Sequence, residues 1–189
     1  INMASNPLWG RNMETPGEDP HLSASFARAY VDGLQGPAAR AGGNGNGTSP
    51  VWKTVATPKH FVGQFFEGDG SDPWGNGTSV NRQSNDTRYT LQDLEQYYLP
   101  SFRAALVDAK AGSLMCAYQG VNGVPMCANG FILNRIVRDS WGWEGFIVSD
   151  CDAIKTMMVR ASPGGNPNFG HAYSLTGAMA VQDGVRAGC

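Results

Sequence analysis

Residues 141–154, WGWEGFIVSDCDAI, carry the clearest structural signal in the chain. A turn rich in tryptophan and glycine leads into the short apolar run at 146–148, which stops abruptly at the polar residues 149–152. A continuous run of β-branched and aromatic residues, bounded by turn residues, predicts a strand that is buried on both faces. The polar residues that follow would then lie just past the end of a buried strand.

Asp150 is therefore the first candidate for chemistry. Parallel strands in α/β proteins carry their ligand sites at the carboxyl ends, so a carboxylate at that point is a candidate catalytic group. The alternative interpretation is that Asp150 or Asp152 caps the helix that follows, because aspartate is a preferred N-cap residue. The local sequence leaves both roles open.

The rest of the chain alternates between helical and strand patterns. Helices are predicted at 21–34, 90–110, 131–140 and 173–185, with a short helix after Asp150, and further strands at 51–57 and 112–118. This alternation predicts an α/β fold with parallel strands. No repeat of fixed length is visible.

Two of these helices carry detailed signals. In the first, an Asp-Pro start at 19–20 precedes Leu22, Phe26, Tyr30 and Leu34 at helical spacing, and the aromatic pair is predicted to lie in the core. In the second, residues 90–93 have the pattern of a capping box, and Pro100 is predicted to kink the helix or divide it.

Other polar groups also fall at predicted strand ends. Lys59 and His60 follow the strand at 51–57, and Tyr118 opens the loop after the strand at 112–118. A Lys-His pair can donate hydrogen bonds and positive potential to a sugar or a carboxylate.

The long turn-rich segment 1–20 contains Arg11, whose planar guanidinium could clamp an oxygen-rich ligand. The alternative is a structural ion pair between Arg11 and Glu14 or Glu18.

Composition excludes several classes of protein. With 189 residues, 41% hydrophobic and 16% charged, the chain is long enough for one globular domain with a sizeable core. A formal net charge of −2 argues against a nucleic-acid partner and gives no support to an anionic membrane surface. No apolar run is long enough to cross a bilayer, so a soluble protein without a membrane partner is expected.

Glycosylation signals and cysteines bear on the compartment. Three Asn-X-Thr sequons, at Asn46, Asn76 and Asn85, lie in polar, turn-rich surroundings. Four cysteines allow three full pairings, and Cys116 and Cys127 are separated by a turn-like segment that could close a short disulfide. Together these features favour a secreted protein.

Two other hydrolase classes lack their signals. The three histidines, His21, His60 and His171, show no metal-ligand spacing, and the Gly-X-Ser-X-Gly pattern of serine hydrolases is absent. Neither a metal nor an organic cofactor is expected.

Four blocks in series resemble the N-terminal catalytic domain of glycoside hydrolase family 3. They are NPLWGRNMETPGEDPHL at 6–22, PKHFVGQ at 58–64, LMCAYQGVNGVPMCAN at 114–129 and WGWEGFIVSDCDAI at 141–154. The resemblance implies a (β/α)8 barrel of TIM type, of which residues 1–189 form an incomplete part without the first strands and the later domain. It also implies removal of sugars from non-reducing ends with retained configuration, and an isolated segment that is inactive.

The resemblance also assigns residues. Asp150 matches the catalytic nucleophile, and no general acid/base is nominated because that residue usually lies in a later domain outside this chain. The positions that match sugar-binding residues are Arg11, Lys59, His60, Glu67, Arg82 and Tyr118. We expect the positive potential of Arg11, Lys59 and His60 to keep the pKa of Asp150 low.

The sequence around the nucleophile bears on specificity. Ser-Asp-Cys-Asp-Ala at 149–153 resembles the β-xylosidase and α-L-arabinofuranosidase branch of the family, and Cys116 and Cys127 strengthen that comparison. A β-xylosidase acting on xylan-derived oligosaccharides is therefore expected, with a β-glucosidase acting on cello-oligosaccharides as the alternative. A non-catalytic carbohydrate-binding protein is the alternative from another class.

Overall fold

The protein has an α/β fold in which short strands alternate with helical segments. The computed structural model describes residues 1–36, 52–67, 82–158 and 170–189. In chain order, the α-helices and strands of these residues are α1 (Pro20–Gln35), β1 (Asp86–Thr87), α2 (Leu91–Asp93), α3 (Pro100–Arg103), β2 (Ser113–Cys116), β3 (Gly120–Val121), β4 (Val124–Pro125), β5 (Phe146–Ser149), α4 (Ala153–Thr156) and α5 (Gly177–Arg186). Helical segments of π geometry occupy Leu94–Tyr98, Ala104–Asp108 and Phe131–Ser140, and 3₁₀ turns occupy Asn12–Glu14 and Met126–Ala128.

A parallel arrangement of backbone lies at the centre of the fold. Strands β2 and β5 pair in parallel, with Cys116 opposite Ser149 at their carboxyl ends. On the other side of β2, the extended residues 56–61 run in the same direction, and the amides of Ser113 and Met115 donate to this segment. The strand predicted at 51–57 is therefore an extended segment, placed a few residues later than expected, that hydrogen-bonds β2 without forming a regular strand.

The prediction that the 146–148 run is buried on both faces is wrong. Within β5, Ile147 is buried, Phe146 is 53% exposed and Val148 is half-buried. Among the described residues, β5 pairs only with β2, so one of its edges and part of one face stay open. The apolar run identifies the strand but not the number of its covered faces.

Helix α1 begins where predicted, but it buries a different face. Asp19 caps it by accepting a hydrogen bond from the His21 amide, and Pro20 occupies the first turn. The predicted core aromatics are exposed, Phe26 by 45% and Tyr30 by 65%. The buried face of α1 instead carries smaller or polar side chains: Ser23, Ala24, Ala27, Val31 and Gln35. Small side chains let α1 pack closely on α3 and on the helical segment Ala104–Asp108 that follows α3.

The helical segment 91–108 confirms two predictions. The capping box is complete, because the Thr90 hydroxyl accepts from the Asp93 amide and the Asp93 carboxylate accepts from the Thr90 amide. A bend at Leu99 divides the segment, and Pro100 begins its second half. Proline suits that first helical position because it has no amide hydrogen to donate.

The core lies between the parallel strands and these helices. Phe61 and Phe102 are fully buried and meet edge to face, with ring centroids 4.9 Å apart. Leu106, Leu114 and Leu133 complete the same cluster of buried residues. A disulfide joins Cys116 to Cys127, the candidate pair named from the sequence among the pairings left open, and ties the end of β2 to the Met126–Ala128 turn. None of the described helices has both the length and the apolar character needed to cross a membrane.

Candidate active site

The carboxyl ends of the three parallel segments place Asp150, His60 and Tyr118 at one edge of the fold. Asp150 directly follows β5, and its amide donates to the Cys116 carbonyl across the strand pair at 3.1 Å. Its carboxylate Oδ1 accepts the Cys151 amide at 2.7 Å, and the side chain is 12% exposed. A carboxylate that is oriented by a backbone amide and almost surrounded by protein is suited to act on a bound ligand.

Neither the Asp150 nor the Asp152 side chain caps helix α4. Asp152 stands at the N-cap position of α4, but its side chain makes no capping hydrogen bond and its backbone is left-handed, with φ 60°. The Asp150 carboxylate accepts the amide of the next residue rather than an amide within α4. The Asp150 side chain is therefore not required to begin the helix.

His60 is held by Asn2 in one tautomer. The Asn2 amide group donates Nδ2–H to the His60 carbonyl at 2.9 Å and accepts the His60 amide on Oδ1 at 2.9 Å. The same Oδ1 lies 3.0 Å from His60 Nδ1, so Nδ1 must carry the proton. The lone pair of Nε2 then points into the site, 3.4 Å from Arg11 Nη2 and 3.5 Å from Asp150 Oδ2.

His60 is neutral at physiological pH. Burial lowers the pKa of His60 to about 3, and the positive charges of Arg11 and Lys59 act in the same direction. The expectation that His60 supplies positive potential to Asp150 is therefore wrong. A buried imidazole beside two cations stays uncharged, and it can accept a hydrogen bond on Nε2.

This shift predicts a pH dependence of stability. The unfolded chain binds a proton at His60 below about pH 6.5, whereas the folded protein does not bind it until about pH 3. The free energy of unfolding should therefore fall as pH decreases between these values, by up to about 1.4 kcal/mol per pH unit. His60→Gln should flatten this slope in urea unfolding, and His21→Gln, at an exposed histidine, should retain it. Equal slopes in the wild type and His60→Gln would contradict the assignment.

Glu67 is the centre of a second group of polar side chains. Its Oε2 accepts from Arg82 Nη1 at 2.9 Å, and its Oε1 accepts from Trp9 Nε1 at 3.2 Å and Gln64 Nε2 at 3.4 Å. Arg11 Nη1 lies 3.5 Å from Oε1. Four side chains thus converge on one carboxylate, and three of them, Trp9, Arg11 and Arg82, come from other parts of the sequence.

Arg11 forms the structural ion pair that was one of the two arrangements considered for it, and its partner is Glu14. It forms a two-point ion pair with Glu14, through Nε to Oε1 at 2.8 Å and Nη2 to Oε2 at 2.6 Å. The same guanidinium faces His60 and Glu67 inside the site. Hydrogen bonding to Arg11 lowers the pKa of Glu14, so the pair stays charged at neutral pH.

Tyr118 lies close to Asp150. Its hydroxyl donates to the Cys151 carbonyl at 2.5 Å, and Arg82 stacks over its ring with Cζ 4.9 Å from the centroid. Burial, followed by the negative charge of Asp150, raises the pKa of Tyr118 to about 12. Tyr118 is therefore protonated at neutral pH, and its one hydroxyl proton is donated to the Cys151 carbonyl.

Lys59 has the fewest polar side-chain contacts of the residues predicted to bind the sugar. The residue is exposed, and its side-chain ammonium forms no hydrogen bond or ion pair with the residues that the structure describes, whereas its carbonyl accepts from the amino group of Ile1. Its charge nevertheless reaches the site, because it contributes to lowering the pKa of His60.

Three residues of the site were not predicted from the sequence. Asn2 orients His60, and Trp9 and Gln64 hold Glu67. Trp9 lies two positions before Arg11 in the sequence, and this proximity could have indicated that Trp9 belongs to the site. Asn2 and Gln64 have none, because an amide side chain with a positioning role looks like any other polar residue.

The remaining predicted positions lie away from this edge or outside the described residues. Asn46 and Asn76 fall outside them. Asn85 is half-buried, and its Nδ2 donates to the hydroxyl of Thr87 in the same sequon at 3.1 Å. Among the described residues, one group of side chains has metal-ligand proximity, namely Cys116, Cys127 and Cys189, and the first two are joined in the disulfide.

Comparison with known proteins identifies the family. The chain belongs to glycoside hydrolase family 3, because residues 1–189 match the family described as "Glycosyl hydrolase family 3 N terminal domain". It is 40% identical over 192 residues to the probable exo-1,4-beta-xylosidase xlnD of Aspergillus clavatus, covering 100% of this chain and 21% of that protein. It is 39% identical over 190 residues to the exo-1,4-beta-xylosidase xlnD of Aspergillus niger, covering 100% of this chain and 20% of that protein.

Solved structures agree with this family. The chain is similar to a GH3 exo-beta-xylosidase (XlnD) in complex with a xylobiose aziridine activity-based probe, with a TM-score of 0.77 and 36% identity over 99% of this chain and 21% of that one. It is also similar to a beta-glucosidase from Listeria innocua in complex with isofagomine, with a TM-score of 0.73 and 27% identity over 99% of this chain and 22% of that one. The chain thus spans about a fifth of the length of these relatives.

Proposed function

We propose that this chain belongs to a retaining, exo-acting glycosidase that releases terminal xylose from non-reducing ends, with α-L-arabinofuranosidase activity as an accompanying reaction. The observation that carries the proposal is Asp150, oriented at the end of β5 beside His60, Arg11 and Tyr118. Identity of 40% to an exo-1,4-beta-xylosidase over the whole chain supports xylose as the sugar. The similarity to a beta-glucosidase complex keeps glucose as the second candidate.

In this proposal Asp150 is the nucleophile. A retaining glycosidase places two carboxyl groups about 5–5.5 Å apart, and one attacks the anomeric carbon while the other protonates the leaving oxygen. The environment of Asp150 supports this role, because its Oδ1 is held by the Cys151 amide and its Oδ2 lies 3.5 Å from His60 Nε2. We assign the general acid/base to no residue of this chain.

The neighbouring groups fit the hydroxyls of a terminal sugar. His60 Nε2 accepts a hydrogen bond, whereas Arg11, Lys59 and Arg82 can only donate. A sugar hydroxyl does both, so a hydroxyl between His60 and one of these cations would satisfy both partners. Glu67 holds Arg82 and Arg11 within reach of this position. Sugar binding by Arg11, Lys59, His60, Glu67, Arg82 and Tyr118 is part of the proposal.

The same proposal extends to architecture and compartment. The three parallel segments, each followed or preceded by a helix, fit part of a (β/α)8 barrel with its site at the carboxyl ends of the strands. The Cys116–Cys127 disulfide and the sequon at Asn85 support a secreted glycoprotein, because disulfides persist in oxidising compartments.

Mechanism-based labelling tests the proposed function. The protein that carries this chain would be treated with an activated 2-deoxy-2-fluoro-β-xyloside, digested, and analysed by mass spectrometry. A stable adduct on Asp150 is expected, because the fluorine slows hydrolysis of the covalent intermediate. The matched glucoside is the control for specificity. Labelling by the glucoside alone would make the protein a β-glucosidase, an adduct on Asp152 would overturn the residue assignment, and no adduct from either reagent would favour a non-catalytic carbohydrate-binding protein.

A further inference from the structure

Three sulfur atoms lie together behind the candidate active site. Cys116 and Cys127 form a disulfide, and the Sγ of Cys189 lies 3.6 Å from the Sγ of Cys116. All three sulfurs lie within 4.8 Å of one another, and Cys189 is a free thiol. The third sulfur is thus in van der Waals contact with a disulfide.

Packing of α5 places the third sulfur there. Helix α5 packs against the Met126–Ala128 turn, and Gly184 in α5 faces the Cys127 carbonyl. After the helix ends, the Cys189 amide donates to the Gly184 carbonyl at 3.0 Å, which fixes the chain close to the disulfide. The proximity of the sulfurs therefore follows from the helix packing, and exchange requires the Cys189 side chain to turn until its sulfur lies in line with the Cys116–Cys127 bond.

We propose that Cys189 exchanges with the Cys116–Cys127 disulfide, so that Cys116 pairs with either Cys127 or Cys189. The Cys189 thiolate attacks the Sγ of Cys116, and a Cys116–Cys189 bond forms as the Cys116–Cys127 bond breaks. The electron pair leaves on the Cys127 Sγ, which takes up the proton that Cys189 lost. One disulfide and one thiol remain throughout, so the step requires neither an oxidant nor a reductant.

The resting state is the Cys116–Cys127 pair. Burial raises the pKa of the Cys189 thiol, which keeps it protonated and unreactive for most of the time, because the thiolate is the attacking species.

The exchange bears directly on the strand end that carries the proposed nucleophile. The Cys116 carbonyl accepts the Asp150 amide, and Cys116 pairs with Ser149 in the sheet. The two pairings tie this strand end to different elements, either the Met126–Ala128 turn or the residues after α5. Any effect on catalysis rests on the proposed function, whereas the change in sulfur connectivity does not.

Disulfide mapping tests the exchange in the protein that carries this chain. Cys151→Ser would remove the exposed free thiol, which could otherwise scramble the pairs. The folded variant would be incubated at mildly alkaline pH, quenched with acid to stop exchange, denatured, and its thiols blocked with N-ethylmaleimide. Non-reducing peptic digestion followed by mass spectrometry should show two populations. One has Cys116 bonded to Cys127 with Cys189 blocked, and the other has Cys116 bonded to Cys189 with Cys127 blocked.

Two further variants make the result decisive. Cys189→Ser in the same background should show only the Cys116–Cys127 peptide, which would attribute the second population to Cys189. Cys127→Ser, oxidised with glutathione disulfide, should form the Cys116–Cys189 bond. The proposal is overturned if the parent shows only Cys116–Cys127 after prolonged incubation, or if Cys116 stays unbonded to Cys189 in Cys127→Ser. These experiments measure which cysteines are bonded to each other. Their outcome therefore does not depend on which sugar the protein binds.

Discussion

Asp150→Asn is expected to reduce kcat by roughly 10⁴-fold or more, the scale seen when a catalytic nucleophile is removed. Asparagine has nearly the same shape, and its side-chain oxygen can still accept the Cys151 amide, so the fold should be unaffected. What is lost is the negative charge that attacks the anomeric carbon. Turnover of an aryl xyloside, alongside thermal unfolding of both proteins, measures the two effects separately.

Asp152→Asn is the matched control. Asp152 is exposed and makes no capping hydrogen bond, and asparagine tolerates its left-handed backbone conformation. Its turnover should stay close to that of the wild type. Near-normal turnover in Asp150→Asn, or an equal loss in both variants, would refute Asp150 as the nucleophile. Azide should partly restore activity to Asp150→Ala, because a small anion can occupy the space of the missing carboxylate and attack in its place.

The position of the candidate active site could be predicted because it depends on strand ends. Carboxyl ends of parallel strands meet at one edge of a sheet, and an abrupt change from apolar to polar residues marks such an end in the sequence. This reasoning predicts that Asp150, His60 and Tyr118 lie at the same edge. It could not predict the charge of His60, because the charge depends on burial and on Arg11, which folding brings near it, as well as on its sequence neighbour Lys59.

Patterns of burial were less predictable than the elements themselves. In α1, Phe26 and Tyr30 have helical spacing and are exposed, whereas Ala27 and Val31, one position further along, are buried. Periodicity identifies a helix and an apolar stripe, but the face that packs is chosen by the fit of the neighbouring helix. Close packing on α3 favours the alanine face, because a large aromatic there would force the helices apart.

The group around Glu67 was also beyond prediction from the residues alone. Arg82 meets Glu67 across fifteen positions in sequence, and Trp9 meets it across fifty-eight. No local pattern encodes such pairs, because they depend on the paths of the intervening segments. The resemblance to the family supplied Glu67 and Arg82 as candidates, and the structure places them in contact.

Glu67→Gln is expected to lower kcat/KM by roughly 30- to 160-fold. The substitution keeps an oxygen that can accept from Trp9, but it removes the negative charge facing Arg82 and Arg11. Two guanidinium groups would then face each other without their shared counter-ion, and both would move away from the sugar-binding position. Loss of one member of a buried charge pair costs about 2–5 kcal/mol, and partial exposure of the Glu67 side chain, 27%, places the expected cost at about 2–3 kcal/mol.

Glu14→Gln separates the effect of Glu67 from a general loss of charge around Arg11. Glu14 holds the same arginine through two hydrogen bonds, but its side chain is 46% exposed and does not contact Arg82. A surface ion pair is worth about 0–1 kcal/mol, so this variant should lose less than about fivefold in kcat/KM. Because Asp150 is intact in both variants, the fluoro-xyloside should still label it, more slowly in Glu67→Gln. Equal losses in the two variants would show that Glu67 acts only as one more neutralising charge. A much larger loss in Glu67→Gln, with labelling of Asp150 retained, would show that it positions Arg82 and Arg11 for the substrate.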